Sequence, residues 1–426
     1  MKRFQSIFPA VPVLLLTFFI YRSHLPTISA PANNPVGLGV LHGVNVISYK
    51  SDDCYSSVAY LRPFRGAGGH KHEVENTYMG LKEGKQESIK IGLLIQTQSS
   101  SEAKNGAELA IQNANRKSGK KGNEFELVVK SMEGPWGTGS KQAVTMIFDE
   151  NVIAILGSHD GRNAHLVEQV SAKSRVVFLS AWAGDPTLSQ AFVPWFFNCV
   201  PNDLQQAEAL TEEIFNKRRL NNITVVSDKG YDSQSSLRNF LNQVVKEGKP
   251  EPLQLSLDST GRNINDLTEK ILRAGTDCIV LFVQPPASMK IVEQIKRKHI
   301  NQPVFGSLAL LDENIISQKD LKNYDNVIFI SSVNLSGKTG KSFSEGYMNK
   351  YGNLPGAVAA YAYDGMNLLI EAIRKAGTER EKLQKSMADI KYEGVTGIIQ
   401  FDDKGNRKGA PGLTEIKNGI PVVVER

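Results

Sequence analysis

Cysteine is scarce in this chain: three in 426 residues, Cys54, Cys199 and Cys278. None stands at the spacing of a metal-ligand set, and the odd number excludes a framework in which every cysteine is bridged. Cys199 and Cys278 lie in or beside apolar runs, the setting of buried thiols. His70 and His72 have no carboxylate or cysteine partner at a known metal spacing, so no metal is expected. Catalytic signatures are missing as well. There is no G-x-S-x-G elbow, and no G-x-G-x-x-G follows the first strand. The GPWGTG of residues 134–139 lacks the Lys-Ser/Thr pair that opens the helix after a phosphate loop. Ser158, His159 and Asp160 are the residue types of a nucleophilic triad, but adjacent residues in a turn point apart and form no relay. These absences argue against an enzyme and against a resident cofactor. Low-complexity tracts are missing too. The excess of basic over acidic residues is mild, 50 Lys and Arg against 44 Asp and Glu. The basic residues are scattered, with no stripe interleaved with aromatics, so nucleic acid is not an expected partner.

Long apolar runs are rare. The one near the start, residues 8–21, follows Lys2 and Arg3 and falls short of the ~20 residues that span a bilayer. Its form is that of a signal peptide, with Ala30-Pro31-Ala32 as a cleavage site. Arg22 and His24 after the run keep an uncleaved anchor open. Either way the body of the chain is expected outside the cytoplasm, periplasmic or tethered, touching the membrane only through residues 1–32. Cys54 is too far from the run to carry a lipid. Residues 33–87 show no period and read as an extension or linker.

What the chain does have is a stretch, 152–203, in which short apolar runs end abruptly in small polar residues. Residues 152–156 end in Gly157-Ser158. A helical pattern follows, with Ala164, Val167, Val170 and Ser171 on one face. Residues 176–179 then end in Ser180-Ala181-Trp182. Strand, small turn, helix, strand, small turn is the pattern of a βαβ unit in a parallel sheet. Ligands of such sheets lie beyond the carboxyl ends of the strands. Both turns leave backbone N–H groups open, and a helix starting just after Ser158 adds its positive end. The expectation is a crevice that accepts an anion.

The same alternation begins at Ser88. It gives strands at 89–95 and 125–130 and helices at 105–115 and 141–149. After Asp203 it restarts, with helices at 204–216, 235–246, 264–274 and 287–298. The strands between them fall at 223–227, 253–257, 278–283, 303–306 and 327–331. Helices are expected at 343–350 and 357–376. The end is read as an antiparallel pair of 397–401 with 420–424 around Asp402-Asp403-Lys404-Gly405. A chain of this length exceeds one ordinary core. The fold class is α/β, with two lobes of parallel sheet flanked by helices and a ligand crevice between them.

Several segments carry a family resemblance in their order and spacing. They are IGLLI followed by NGAELAIQNAN, then AILGS, FLSAWAGDPTL, FNCVPND, VVSDKGYDSQS, AYAYDGMNLL and FDDKGNRKG. From Ile89 onward, roughly four fifths of the chain, the sequence resembles the periplasmic leucine/isoleucine/valine-type substrate-binding proteins of ABC transporters. The resemblance implies a type I periplasmic binding fold, with one lobe from 88–203 and 335–395 and the other from 204–334 and 396–426. It also implies hinge closure around a small molecule, delivery to permease subunits, and action as a monomer. A sensor of the same fold is the alternative that the sequence leaves open.

The resemblance also assigns site residues. Ser158 matches the serine that holds a ligand carboxylate, with His159 beside it; a helix cap is the competing role for Ser158. Ala181, Trp182 and Ala183 match the next contacting turn, where Gly184 replaces a threonine and Trp182 offers an aromatic wall. Asp203 matches the acid that steadies a ligand ammonium, with a helix cap again competing. In the second lobe Tyr231 matches a closing aromatic and Gln284 a polar contact. Leu308 falls where a second acid would be. With that acid and the threonine lost, the implied ligand is a small carboxylate, amide or modified amino acid rather than free leucine.

Overall fold

The computed structural model describes residues 88–119, 124–310 and 321–424. These described residues belong to one compact unit. The expectations for the export segment, the extension, Cys54, His70 and His72 lie outside the described residues.

The unit opens with β1 (Ile89–Ile95), α1 (Ser101–Ser118), β2 (Phe125–Ser131) and α2 (Thr138–Val144), which widens into a π-helical turn over Thr145–Asp149. β3 (Ala154–Ser158), α3 (Gly161–Ser174), β4 (Val177–Ser180), the short α4 (Thr187–Gln190) and β5 (Phe196–Asn198) follow. The strands are all parallel, in the order β2-β1-β3-β4-β5. β3, β4 and β5 are buried throughout. Helices cover both faces, so these strands read as continuous apolar runs rather than alternating ones.

The chain then builds a second sheet. Its elements are α5 (Asp203–Thr211), β6 (Ile223–Ser227), α6 (Tyr231–Lys246), β7 (Leu253–Ser256), α7 (Ile264–Ala274), β8 (Cys278–Phe282), α8 (Ala287–Arg297), β9 (Val304–Gly306) and β10 (Val327–Ile330). α9 (Lys338–Tyr351), α10 (Ala357–Ala376) and α11 (Arg380–Ala388) return to pack against α1, β3 and β4. β11 (Tyr392–Gly394), β12 (Gly397–Ile399), β13 (Leu413–Lys417) and β14 (Ile420–Val423) close the chain. The second sheet runs β14-β13-β10-β9-β8-β6-β7. It is parallel except where β13 and β14 join it antiparallel. Cys199 and Cys278 are free and buried. Burial pushes both thiols up to about 12.

Two segments cross between the sheets close together. Asn198 donates its N–H to Gly405 O at 2.8 Å. Arg407 is buried and donates to Cys199 O at 2.9 Å, to Thr396 Oγ1 at 3.1 Å and to Ile398 O at 3.1 Å. A guanidinium shared between the Cys199 carbonyl and acceptors at Thr396 and Ile398 ties the crossing segments together.

The expected terminal pairing is corrected. β12 pairs with β11, and β14 pairs with β13, so 397–401 and 420–424 belong to different sheets. The reason is tertiary. Asp364 of α10 accepts the N–H of Val395 at 2.9 Å and the N–H and hydroxyl of Thr396 at 2.7 Å each. It thereby fixes the turn between β11 and β12. The β13–β14 turn is local: Asn418 and Gly419 have φ of 54° and 74°. That is the Asn-Gly signature of a two-residue hairpin.

Candidate functional site

The carboxyl ends of the first sheet lie level. Ser158 stands opposite Ile95, Gly157 opposite Ser180, and Ser180 opposite Asn198. Ser158, Ala181 and Ala183 are buried there, and Trp182 is half-buried. Among the described residues the Ser158 hydroxyl has no hydrogen-bond partner, and it is not sealed among the buried orphan atoms. Trp182 packs against the apolar clusters of both sheets and presents an edge-on contact to Tyr361, with centroids 6.5 Å apart. It is therefore a wall standing between the two cores.

His159 turns the other way. Its ring stacks on Phe178 at 6.0 Å and 12°, and its Nδ1 meets Asp160 O at 3.1 Å. Burial lowers its basicity. Only its backbone remains for the crevice. Helix α3 starts later than expected, at Gly161, and its cap is Asp160, which accepts Asn163 N–H at 2.9 Å. Ser158 is thus a strand end and not the cap. Asp203 likewise is the first residue of α5. The cap is Asn202, in a reciprocal box with Gln205.

Asp203 is buried with its Oδ1 accepting Ser236 Oγ at 2.9 Å, and its N–H donates to Gly184 O at 2.7 Å. Burial pushes its carboxyl up to about 7; hydrogen bonds from Ser235 and Ser236 oppose that, and Asp232 and Asp185 add to it. Gln206 closes the floor behind it. Its Nε2 donates to Pro201 O at 2.9 Å, and its Oε1 accepts Leu308 N–H at 2.9 Å. The Leu308 side chain is buried in the second core.

Two further predicted residues follow strands of the second sheet, and of these Tyr231 reaches a residue of the first. Gln284 donates to Asp232 Oδ2 at 3.4 Å and takes its own N–H to Asp228 at 3.0 Å. Tyr231 is 44% exposed, and its hydroxyl donates to Asp185 Oδ2 at 2.6 Å. Burial pushes the phenol up to about 12, and the Asp185 bond adds to it. The structure therefore brings together the Ser158 and Trp182 turns, Asp203, Tyr231 and Gln284 at facing strand ends. It withdraws the side chains of His159 and Leu308.

Asp185 and Asp232 carry the contacts across the crevice, and the sequence reading did not single them out. Asp232 Oδ1 accepts the N–H of Gly161, the first residue of α3, at 3.0 Å. Burial, then the charge of Asp160, pushes Asp232 up to about 6. Asp185 is buried, which alone would raise it. Its bonds to His165, Tyr231 and Thr187 outweigh burial and hold it well below the usual carboxylate range. His165, between Asp185 at 3.1 Å and Glu168 at 3.5 Å, is pushed up to about 9 by those two acids. The sequence did carry one sign: Asp232 follows Tyr231 at a helix start, where an acid is favoured by the positive end of the helix. Open grooves of about 660 Å³ and 740 Å³ lie elsewhere, by Asn334 and Arg407 and by Gln112 and Lys350. Neither includes a predicted site residue.

A model of the periplasmic binding protein family matches residues 88–413. Among curated proteins, Glutamate receptor 2.2 of Arabidopsis thaliana is 23% identical over 292 residues, 61% of this chain and 31% of that one. Glutamate receptor 2.4 of the same organism is 21% identical over 300 residues, 61% of this chain and 32% of that one. The chain thus spans about a third of the length of these curated relatives. Solved structures are similar over most of their length. The branched-chain amino acid transporter substrate-binding protein LivJ of Streptococcus pneumoniae, in complex with isoleucine, is 21% identical. It has a TM-score of 0.70 over 79% of this chain and 99% of that one. A solute-binding protein of an ABC transporter from Rhodopseudomonas palustris, in complex with 3,4-dihydroxybenzoic acid, is 17% identical. Its TM-score is 0.66 over 77% of this chain and 93% of that one.

Proposed function

This chain belongs to the periplasmic binding protein family, and on that premise we propose that it is an extracytoplasmic solute receptor. It captures a small molecule between its two sheets by hinge closure and presents it to the permease subunits of an ABC transporter. It acts as a monomer and carries out no chemistry on the solute. LivJ is solved with isoleucine and the Rhodopseudomonas protein with an aromatic acid, so both solutes carry a carboxylate.

The observation that carries this reading is the facing of two sets of strand ends. Ser158 and Ala181–Trp182–Ala183 end the strands of one sheet, and Tyr231 and Gln284 follow strands of the other. The hydroxyl of Ser158 and the turn N–H groups of 181–183 suit a carboxylate. Trp182 supplies an apolar wall. Asp203 faces a donor or cationic part of the solute, and its carboxyl, pushed up to about 7 by burial, ionises to meet it as pH rises through that value. Leu308 provides no second acid, so a compact free ammonium would be poorly compensated. The solute class is a small carboxylate, amide or modified amino acid.

A second reading, a ligand-sensing domain, is supported by the match to the two plant glutamate receptors. Mass spectrometry of the solute that copurifies, with calorimetry on it, tests the receptor reading. Saturable one-to-one binding without turnover supports it; conversion of the solute contradicts it. Capture of permease subunits from membranes favours transport over sensing, and failure to capture them favours sensing.

A further inference from the structure

Gly161 is where the two sides of the crevice meet. A Cβ at this position would lie 2.9 Å from Asp185 Cβ and 2.9 Å from Asp232 Oδ1, with Tyr231 Cε1 at 3.5 Å. Asp185 belongs to the turn after β4, whereas Tyr231 and Asp232 open α6, which packs with the second sheet. Two hydrogen bonds thus cross at one bare glycine. We propose that Asp232 on the Gly161 N–H and Tyr231 on Asp185 form a clasp that holds the lobes together, making Asp185 and Asp232 positioning residues for closure.

Each half of the clasp is prepared on its own side. Asp185 is kept ionised by His165 and by the N–H and hydroxyl of Thr187, at 2.9 and 2.7 Å. Its Oδ2 is then a charged acceptor for Tyr231, and a charge-assisted bond is about twice as strong as a neutral one. Asp232 is steadied by Gln284 Nε2 and aimed at the positive end of a 14-residue helix. The clasp has a consequence for recognition, which rests on reading this crevice as the solute site. With Asp232 resident on the first amide of α3, a solute anion is left to Ser158 and the turn at 181–183.

The clasp is measured on the full chain with no solute added, so its failure is separate from failure of the receptor reading. The variants are Tyr231→Phe, Asp232→Ala, their double mutant, and Gly161→Ala. The readouts are small-angle scattering and amide exchange resolved over the first turn of α3. The parent should scatter as a narrower particle than its variants. The double mutant and Gly161→Ala should scatter as a wider particle, with exchange at residue 161 faster by tenfold or more and unchanged at Phe282, the buried last residue of β8. Tyr231→Phe, which removes one oxygen and leaves the packing, should shift in the same direction by less. Unchanged scattering and exchange in the double mutant overturn the proposal. Exchange that rises equally at 161 and at Phe282 also overturns it, because the loss would then be of the fold and not of closure.

Discussion

Ser236 on α6 donates its hydroxyl to Asp203 at the start of α5 at 2.9 Å, so that a buried carboxyl is met by a hydroxyl and not by a cation. The sign of its linkage is unusual for an aspartate. In the unfolded chain it loses its proton near pH 4, in the fold only near pH 7. Between those values the folded state binds more protons, so raising the pH removes stability. Asp232, at about 6, has the same sign. His165 works within the same span: its contribution is complete below 6.5 and is lost as pH rises through about 9. Asp185 contributes above its ordinary value and loses that only in acid. Buried His159, whose basicity the fold lowers, opposes these groups only below about 6.5, so the melting temperature should fall from about pH 6.5 to about pH 8. In Asp203→Asn the fall should be shallower, with the variant gaining on the parent at the upper end. A parent profile that rises over this range would contradict the burial of these acids.

The α1–α10 contact gives a steric prediction. A Cβ on Gly106 would come within 2.2 Å of Ala359 O, which is backbone and cannot step aside. Gly106→Val should separate the helices and cost about 1–3 kcal/mol in urea unfolding. A loss under about 0.5 kcal/mol, the usual range of surface changes, would show that the helices do not approach this closely.

Asp364→Ala should release the turn at Val395-Thr396, which it holds by three hydrogen bonds. Three buried donors would lose their partner, at a cost of about 1.5–3 kcal/mol or more. Exchange at residues 395 and 396 should rise ahead of the rest of the chain. If these amides stay as protected as those of β8, the turn is held by something other than Asp364.

The sequence showed the sheets well and the seams poorly, for a physical reason. Buried parallel strands such as β3, β4 and β8 are written as unbroken apolar runs, and the helices between them as amphipathic periods, so both are visible one segment at a time. The level strand ends at Ser158 and Ala181–Ala183 follow from the same pattern. What stayed hidden depends on a partner distant in the chain. The β11–β12 turn is set by Asp364 from α10, and the inward turn of His159 is set by the Phe178 ring. The clasp joins Gly161 to a residue 71 positions later. Asn418-Gly419, by contrast, is a local hairpin signal that could have placed β14 correctly from sequence.

The most direct test of the crevice is titration calorimetry on the parent, Ser158→Ala and Trp182→Ala against amino acids, their amides and small aromatic and aliphatic acids. The account predicts one-to-one binding of a small carboxylate, amide or modified amino acid by the parent. Losing the Ser158 hydroxyl should weaken it by about tenfold to a hundredfold, the value of one charge-assisted hydrogen bond. Trp182→Ala should weaken it further through loss of the wall. Unchanged affinity in both variants would place the site elsewhere, and tight binding of free leucine would contradict the weight given to Gly184 and Leu308.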